Sequence, residues 1–209
     1  MNLLIFGASG MTGRELVRQS LAQGHIVTAF VRNPARLDVQ NANLRIIQGD
    51  VSDYSLVERA VKDQDTVISA LGVSQKLKSD PAVVDGVRNI IRAMEMNRVN
   101  RLIYMSFIGV RESRNNAGVL IRHLVSRFVR NEIADHELKE QLIRSSRLDW
   151  TIVRPPKLTN GSQTRKYRNG EGIRTSSLLP TMSRADVADF MLRELKERNF
   201  IRKSPTIMY

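Results

Sequence analysis

No cysteine occurs among the 209 residues of this chain. Disulfides, thiolate metal sites and cysteine nucleophiles are thereby excluded, and the absence fits a reducing, cytoplasmic compartment. Aromatic residues make up only 5%, which leaves little for stacking on nucleic-acid bases. No apolar run approaches the ~20 residues of a membrane-spanning helix. The N-terminus lacks the basic stretch and small-residue cleavage pattern of a secretory signal. No cluster of His, Asp and Glu has metal-ligand spacing, so no metal is expected. No serine stands in a nucleophile-elbow pattern. The tyrosines, Tyr54, Tyr104, Tyr167 and Tyr209, also lack a lysine four residues on: Glu58, Ile108 and Glu171 follow the first three, and Tyr209 is the last residue. A tyrosine acid helped by a lysine one helical turn away is therefore set aside.

Positive charge, in contrast, is in excess. The net charge of +12 is unevenly spread. Residues 1–97 carry 11 basic and 10 acidic side chains, whereas residues 98–131 carry 7 and 1. Residues 161–174 add 4 and 1. The excess thus lies in the second half of the chain.

The first half holds the most informative motif, Gly7-Ala8-Ser9-Gly10-Met11-Thr12-Gly13. It follows the apolar run Leu3-Leu4-Ile5-Phe6 and precedes a helical pattern. Strand, glycine-rich turn and helix is the layout that seats a pyrophosphate on a helix N-terminus. The spacing is GxxGxxG rather than GxGxxG, so the flanking strand and helix carry much of the inference. The turn arrives by residue 7, so little is expected before the first strand.

Short β-rich runs alternate with helical patterns along the rest of the chain, which predicts βαβ units. The expected fold is α/β: one Rossmann-like, doubly wound, mainly parallel sheet with helices on both faces. Strands are predicted over residues 3–6, 25–31, 44–47, 66–70, 101–105, 150–153 and 206–208. Helices are predicted over 13–23, 54–61, 81–97, 119–130, 132–146 and 184–197. Asp53, Asp80 and Ser183 are candidate N-caps, and Gly24 a left-handed C-terminal residue. At this length one domain is expected, residues 1–209. Its substrate side is expected from about 107–131 and 157–182, the polar stretch Lys157–Leu179 reading as irregular.

Ligands of such sheets bind at the carboxyl ends of the strands. After the second strand the sequence reads Val31-Arg32-Asn33-Pro34-Ala35-Arg36, with no acidic residue to hold a ribose 2′-hydroxyl. Arg32 and Arg36 suit the 2′-phosphate of NADP(H) instead, or are solvated strand-end cations. At about 1.5–3 kcal/mol for each charge-assisted bond, such a pair favours NADP(H) by roughly 10- to 10⁴-fold. Asp50 either accepts from an adenine amino group or caps the following helix.

GASGMTG at residue 7, VRNPARL at 31–37, GDV at 49–51, SALG at 69–72, LDWTIVRPP at 148–156 and SRADVADFML at 183–192 occur in this order. Together with the serine that closes the fifth strand, they resemble the atypical short-chain dehydrogenase/reductases. The resemblance is nearest to the NmrA-like branch that includes biliverdin-IXβ/flavin reductase and bacterial proteins named as NADH-flavin reductases. It spans nearly the whole chain except residues 107–131, which match nothing in the family. It implies that Gly7, Ser9, Gly10, Met11 and Thr12 contact the pyrophosphate and that Arg32 and Arg36 hold the 2′-phosphate. Asp50 and Val51 then flank the adenine, and Leu71 and Gly72 line the ribose. Ser106, Pro155, Pro156, Lys157 and Leu158 surround the nicotinamide end.

Acid–base equipment is sparse. Ser106 ends the fifth strand and can donate to a carbonyl or a flavin nitrogen, or bond to backbone. His136 and Glu140, spaced i, i+4, share a helix face. His136 is a candidate proton donor near neutral pH, or a solvated histidine paired with Glu140. Residues 119–130 read as an amphipathic helix with His123, Arg127 and Arg130 on its polar side. It is a packed surface helix, a lid that attracts an anionic acceptor, or a contact for an acidic partner.

Two functional readings follow. The first is an NADPH-dependent reductase of a small planar acceptor: flavin, quinone or bilin. The second is a non-catalytic NADP(H) sensor that regulates a protein partner. An epimerase- or dehydratase-like enzyme on a nucleotide sugar is disfavoured by the missing tyrosine/lysine pair.

Overall fold

Apolar runs of four to six residues become the strands of one parallel sheet in the computed structural model, which describes residues 1–72, 81–108, 110, 130–174, 177 and 179–209. The strands are β1 (Asn2–Phe6), β2 (Ile26–Val31), β3 (Leu44–Gln48), β4 (Thr66–Ser69), β5 (Arg101–Met105) and β6 (Asp149–Val153). Their order across the sheet is β3-β2-β1-β4-β5-β6, with every pairing parallel. The expected Rossmann-like architecture is present. The chain leaves β3 at one edge and re-enters as β4 beside β1. The topological switch point therefore lies between the carboxyl ends of β1 and β4.

Alternation along each strand builds two cores. Leu3 and Ile5 join the cluster with α1 (Met11–Ala22) and α5 (Arg184–Glu197). Leu4 and Phe6 join the other, with α2 (Tyr54–Val61), α3 (Pro81–Met96) and α4 (Arg130–Ser145). The helices start and stop where the sequence has the chemistry for it. The Asp53 carboxylate accepts from Leu56 N–H at 3.1 Å, and Ser183 Oγ accepts from Asp186 N–H at 3.0 Å. Gly24 follows α1 at φ +77°. Asp80 and residues 119–129 of the helix expected over 119–130 fall outside the described residues, and Arg130 begins α4.

The stretch expected to be irregular is more ordered than that. It contains β7 (Lys157–Thr159) and β8 (Arg168–Gly170), and leads into β9 (Thr181–Ser183). β7, β8 and β9, of three residues each, have no periodicity to read; they form because β7 pairs with β9, and β8 with the expected strand β10 (Thr206–Met208). The last strand therefore pairs outside the main sheet, while Thr206 also bridges to Arg154 just beyond β6.

Two acids of α5 hold this excursion in place. Asp186 accepts from the N–H groups of Thr164 and Arg165, both at 2.8 Å, and from the hydroxyls of Thr164 and Tyr209. Asp189 accepts from Gln163 at 2.6 Å and from the Tyr167 hydroxyl at 2.7 Å. Burial alone would favour a protonated Asp186, but these donors outweigh it and hold its carboxyl below the usual range.

A second buried polar contact locks α4 to the end of β6. Arg154 Nε donates to Glu140 Oε1 at 3.0 Å, and its Nη2 to Oε2 at 2.5 Å, with both side chains essentially solvent-free. Removing one partner strands the other charge in the interior. Glu140→Ala is expected to cost about 3–5 kcal/mol in urea unfolding. The double variant Glu140→Leu/Arg154→Met is expected to recover most of that loss. A single-variant cost below about 1 kcal/mol would contradict a desolvated pair.

Candidate dinucleotide site

Gly7 turns the chain out of β1 at φ +74°, and a Cβ there would stand 2.6 Å from the Ala70 carbonyl oxygen. Gly13 is tighter still: a Cβ would come within 2.0 Å of the Gly7 carbonyl oxygen. These two positions let α1 start directly over the turn and let the turn lie against the end of β4. Gly10 is the N-cap of α1, and no side chain caps it. The first-turn N–H groups thus lack a side-chain acceptor, which is the condition for holding an anion.

A cavity of about 500 Å³ opens over this turn. Gly7, Ser9, Gly10, Met11 and Thr12 line one side. Arg32 and Arg36 come from the end of β2, Asp50 and Val51 from the end of β3, and Leu71 and Gly72 from the end of β4. Leu158 lines the excursion side. Pro155 and Lys157 lie outside the lining: Pro155 is buried and Lys157 is exposed at the start of β7.

Arg32 and Arg36 are both exposed, and neither is ion-paired among the described residues. Asn33 shapes the turn that carries Arg36, accepting from Ala35 N–H at 3.0 Å ahead of the short 3₁₀ turn Pro34–Arg36. Asp50 does not cap α2, as Asp53 takes that place. Its Oδ1 instead accepts from Ser52 N–H at 2.9 Å and from Ser52 Oγ at 2.7 Å. Those two bonds, with a smaller contribution from Arg32, hold its carboxyl below the usual range. Asn89 of α3 donates to the Val51 carbonyl oxygen at 2.9 Å. Gly86 lets α3 pass so close to Val51 that any Cβ would overlap it.

Ser106 and His136 are not in this lining; they form a group of their own beyond β5. Ser106 N–H donates to the Val153 carbonyl oxygen at 2.8 Å, and Ile108 N–H to the Pro155 carbonyl oxygen at 2.9 Å. The ends of β5 and β6 are thus tied together. The Ser106 hydroxyl is 3.4 Å from His136 Nδ1, and the Phe107 ring packs edge-on against the imidazole at 4.8 Å. His136 is buried rather than solvated, and Glu140 serves Arg154 instead of His136. Burial, reinforced by the charge of Lys139, pushes the His136 imidazole down to about 3. It is therefore neutral at physiological pH. In that state it can share a hydrogen bond with Ser106.

Arg184, the first residue of α5, also lines the cavity and was not anticipated. Its Nη1 donates to Asn160 Oδ1 at 2.6 Å. The SRADVADFML string contains it, but nothing in that string shows which way a residue at the start of a helix faces. Among the described residues no group of His, Asp and Glu can hold a metal ion, and no helix is long and apolar enough to cross a membrane.

Comparison with known proteins agrees with this geometry. Residues 7–198 match the family described as NAD(P)H-binding. The uncharacterized protein YwnB of Bacillus subtilis is 26% identical over 82% of this chain and 80% of its own. Other curated relatives are longer, and this chain spans between 12% and 61% of them. Among solved structures, a short-chain dehydrogenase/reductase from Veillonella parvula in complex with NADP superposes with a TM-score of 0.83 at 20% identity, covering 100% of this chain and 94% of that one. ChuY, an anaerobilin reductase from Escherichia coli O157:H7, superposes at 0.80 with 22% identity, covering 100% and 97%. At such identities these superpositions establish the fold.

The low His136 value has a consequence for stability. An unfolded histidine binds a proton below about 6.5, whereas the folded one resists protonation until about 3. The unfolded state therefore gains protons first, and stability is expected to fall as pH drops through this window. Thermal melting from pH 7 to pH 4 is expected to show a shallower decline for His136→Asn than for the wild type. Equal slopes would contradict a buried neutral imidazole.

Proposed function

This chain belongs to the NAD(P)H-binding family, and from that premise we propose that it is an NADPH-dependent oxidoreductase acting on a small planar acceptor: a flavin, a quinone or a bilin. One observation carries the cofactor preference. Two exposed arginines without ion-pair partners among the described residues, Arg32 and Arg36, line the same cavity as the glycine turn. The one carboxylate of the described lining, Asp50, is engaged by Ser52. The Veillonella neighbour with NADP is consistent with this reading, as is ChuY for a bilin-like acceptor.

The residues present fit a dinucleotide: a turn that excludes a Cβ at Gly7 and Gly13, a helix start without a side-chain cap and cations near a ribose position. In this reading Gly7, Ser9, Gly10, Met11 and Thr12 hold the pyrophosphate. Arg32 and Arg36 hold the 2′-phosphate, Asp50 and Val51 border the adenine, and Leu71 and Gly72 border the ribose. The bound dinucleotide supplies the hydride chemistry. Ser106, oriented by His136 and the tied ends of β5 and β6, presents its hydroxyl to the acceptor. Leu158 lines the wall on the nicotinamide side, with Pro155 and Lys157 beside it in the chain but outside the lining. The reading keeps a single domain with its substrate side at 107–131 and 157–182, of which residues 109, 111–129, 175, 176 and 178 lie outside the described residues, and the basic composition of the former stretch favours an anionic acceptor. An acceptor that is easily reduced needs alignment more than proton transfer, which suits so few acid–base groups.

The neutral, buried state of His136 also favours the second reading, an NADP(H) sensor that regulates a protein partner. Turnover separates the two. Purified protein with NADPH is expected to reduce at least one member of a panel of flavins, quinones and bilins, and Ser106→Ala is expected to lower kcat while leaving NADPH affinity unchanged. Binding without turnover across the panel favours the sensor. Calorimetry tests the cofactor assignment: Arg32→Ala is expected to weaken NADP⁺ about 10- to 100-fold and leave NAD⁺ nearly unchanged. Equal NADP⁺ binding by both proteins would refute it.

A further inference from the structure

Arg184 is a cation in an awkward place. It is half-buried at the first residue of α5, where the aligned peptide dipoles present partial positive charge and disfavour another cation. Its hydrogen-bond partner is the neutral amide of Asn160, and it has no ion pair among the described residues. Burial holds the guanidinium below its usual range, with no acidic group opposing that shift. The nearest carboxylate in sequence, Asp186, is engaged by Thr164, Arg165, Ser183 and Tyr209.

The surroundings of Arg184 explain why such a placement is tolerated. Gln19 of α1 donates to the Ala185 carbonyl oxygen at 2.9 Å, which fixes the start of α5 against α1. Arg184 therefore reaches the same cavity as Gly10, Met11 and Arg14 at the α1 N-terminus. An anion bound there meets the α1 N-terminus, which no side chain caps, and a guanidinium with no ion pair among the described residues. Arg32 and Arg36 enter from the β2 end, which leaves the 2′-phosphate to them.

Resting on the dinucleotide reading above, we propose that Arg184 clamps the pyrophosphate of the cofactor from the α5 side, with Asn160 holding its guanidinium in position. The clamp answers to the pyrophosphate and is blind to the 2′-phosphate. It also couples the β7–β9 excursion to cofactor occupancy, because Asn160 lies directly after β7.

Calorimetry with three probes tests this: NADP⁺, NAD⁺ and adenosine 2′-monophosphate, which carries the 2′-phosphate but no pyrophosphate. Arg184→Gln is expected to weaken NADP⁺ and NAD⁺ by the same factor, about tenfold. Its affinity for adenosine 2′-monophosphate is expected to stay at the wild-type value. Arg32→Ala is expected to weaken NADP⁺ and adenosine 2′-monophosphate and to spare NAD⁺. The ligand-free melting temperature of Arg184→Gln is expected to be unchanged or raised, since an unfavourable cation is removed. If that variant does not fold, Arg184→Lys serves, with a smaller loss shared equally by both dinucleotides. Unchanged dinucleotide affinity, or a loss confined to NADP⁺ or to adenosine 2′-monophosphate, overturns the clamp. Should FMN show a raised KM while both dinucleotides bind normally, Arg184 serves the acceptor and the clamp is likewise overturned. A wild type that binds neither dinucleotide refutes the proposed function itself, an outcome distinct from failure of the clamp alone.

Discussion

Everything at the site depends on how closely α1 sits on the turn that precedes it. A hydrogen-free sphere the size of a methyl group at Gly13 would lie 2.0 Å from the Gly7 carbonyl oxygen, well inside van der Waals contact. At Gly7 the same sphere would lie 2.6 Å from the Ala70 carbonyl oxygen. Two missing side chains thus bring β1, the turn, α1 and the end of β4 into one closely packed unit. That unit sits at the switch point, and the crevice above it is where the strand order opens. Had either glycine carried a side chain, the N–H groups of the first helical turn would be displaced from the floor of the cavity.

The walls of the cavity are held by a different kind of force. Buried charges, each with more than one hydrogen bond, set the position of these segments. Asp186 and Asp189 do this for the 160s, where the sequence is polar and Tyr167 packs on the core through Phe190. Arg154 and Glu140 do it for α4 and the end of β6, and Arg101 does it deeper in the fold by donating to the Glu194 carbonyl oxygen at 3.0 Å. Ion pairs of this sort add little net stability compared with apolar packing, but they are intolerant of wrong geometry. They specify where Leu158 and Arg184 stand relative to the glycine turn.

Much of the core was legible. The six main strands, the helices between them, the caps Asp53 and Ser183 and the left-handed Gly24 all express local chemistry: apolar periodicity, a side chain that accepts from a nearby N–H, or a backbone angle only glycine adopts easily. The cavity lining was legible to the extent that it lies immediately after strands, as with Arg32, Asp50 and Leu71. Less was readable where partners are distant in sequence. Asp50 was open between adenine and a helix cap, and the structure gives the cap to its neighbour Asp53. His136 and Glu140 share a helix face, yet that spacing does not reveal that Arg154 claims the glutamate or that Phe107 covers the imidazole. Strands of three residues such as β7 and β9 form only because each finds the other.

By itself the sequence determined the parallel α/β plan and the place where an anion meets a helix N-terminus, because both follow from short-range rules: periodicity of apolar residues and glycine where a Cβ cannot fit. Tertiary structure alone decided the charge states and the far wall. The protonation of His136 depends on how completely other elements exclude water from it. The reach of Arg184 into the cavity depends on α5 docking against α1, through contacts such as Gln19 to Ala185, 166 residues apart in the chain. No local pattern encodes desolvation or the direction of a side chain at such a junction, since both are properties of what has been brought close in space.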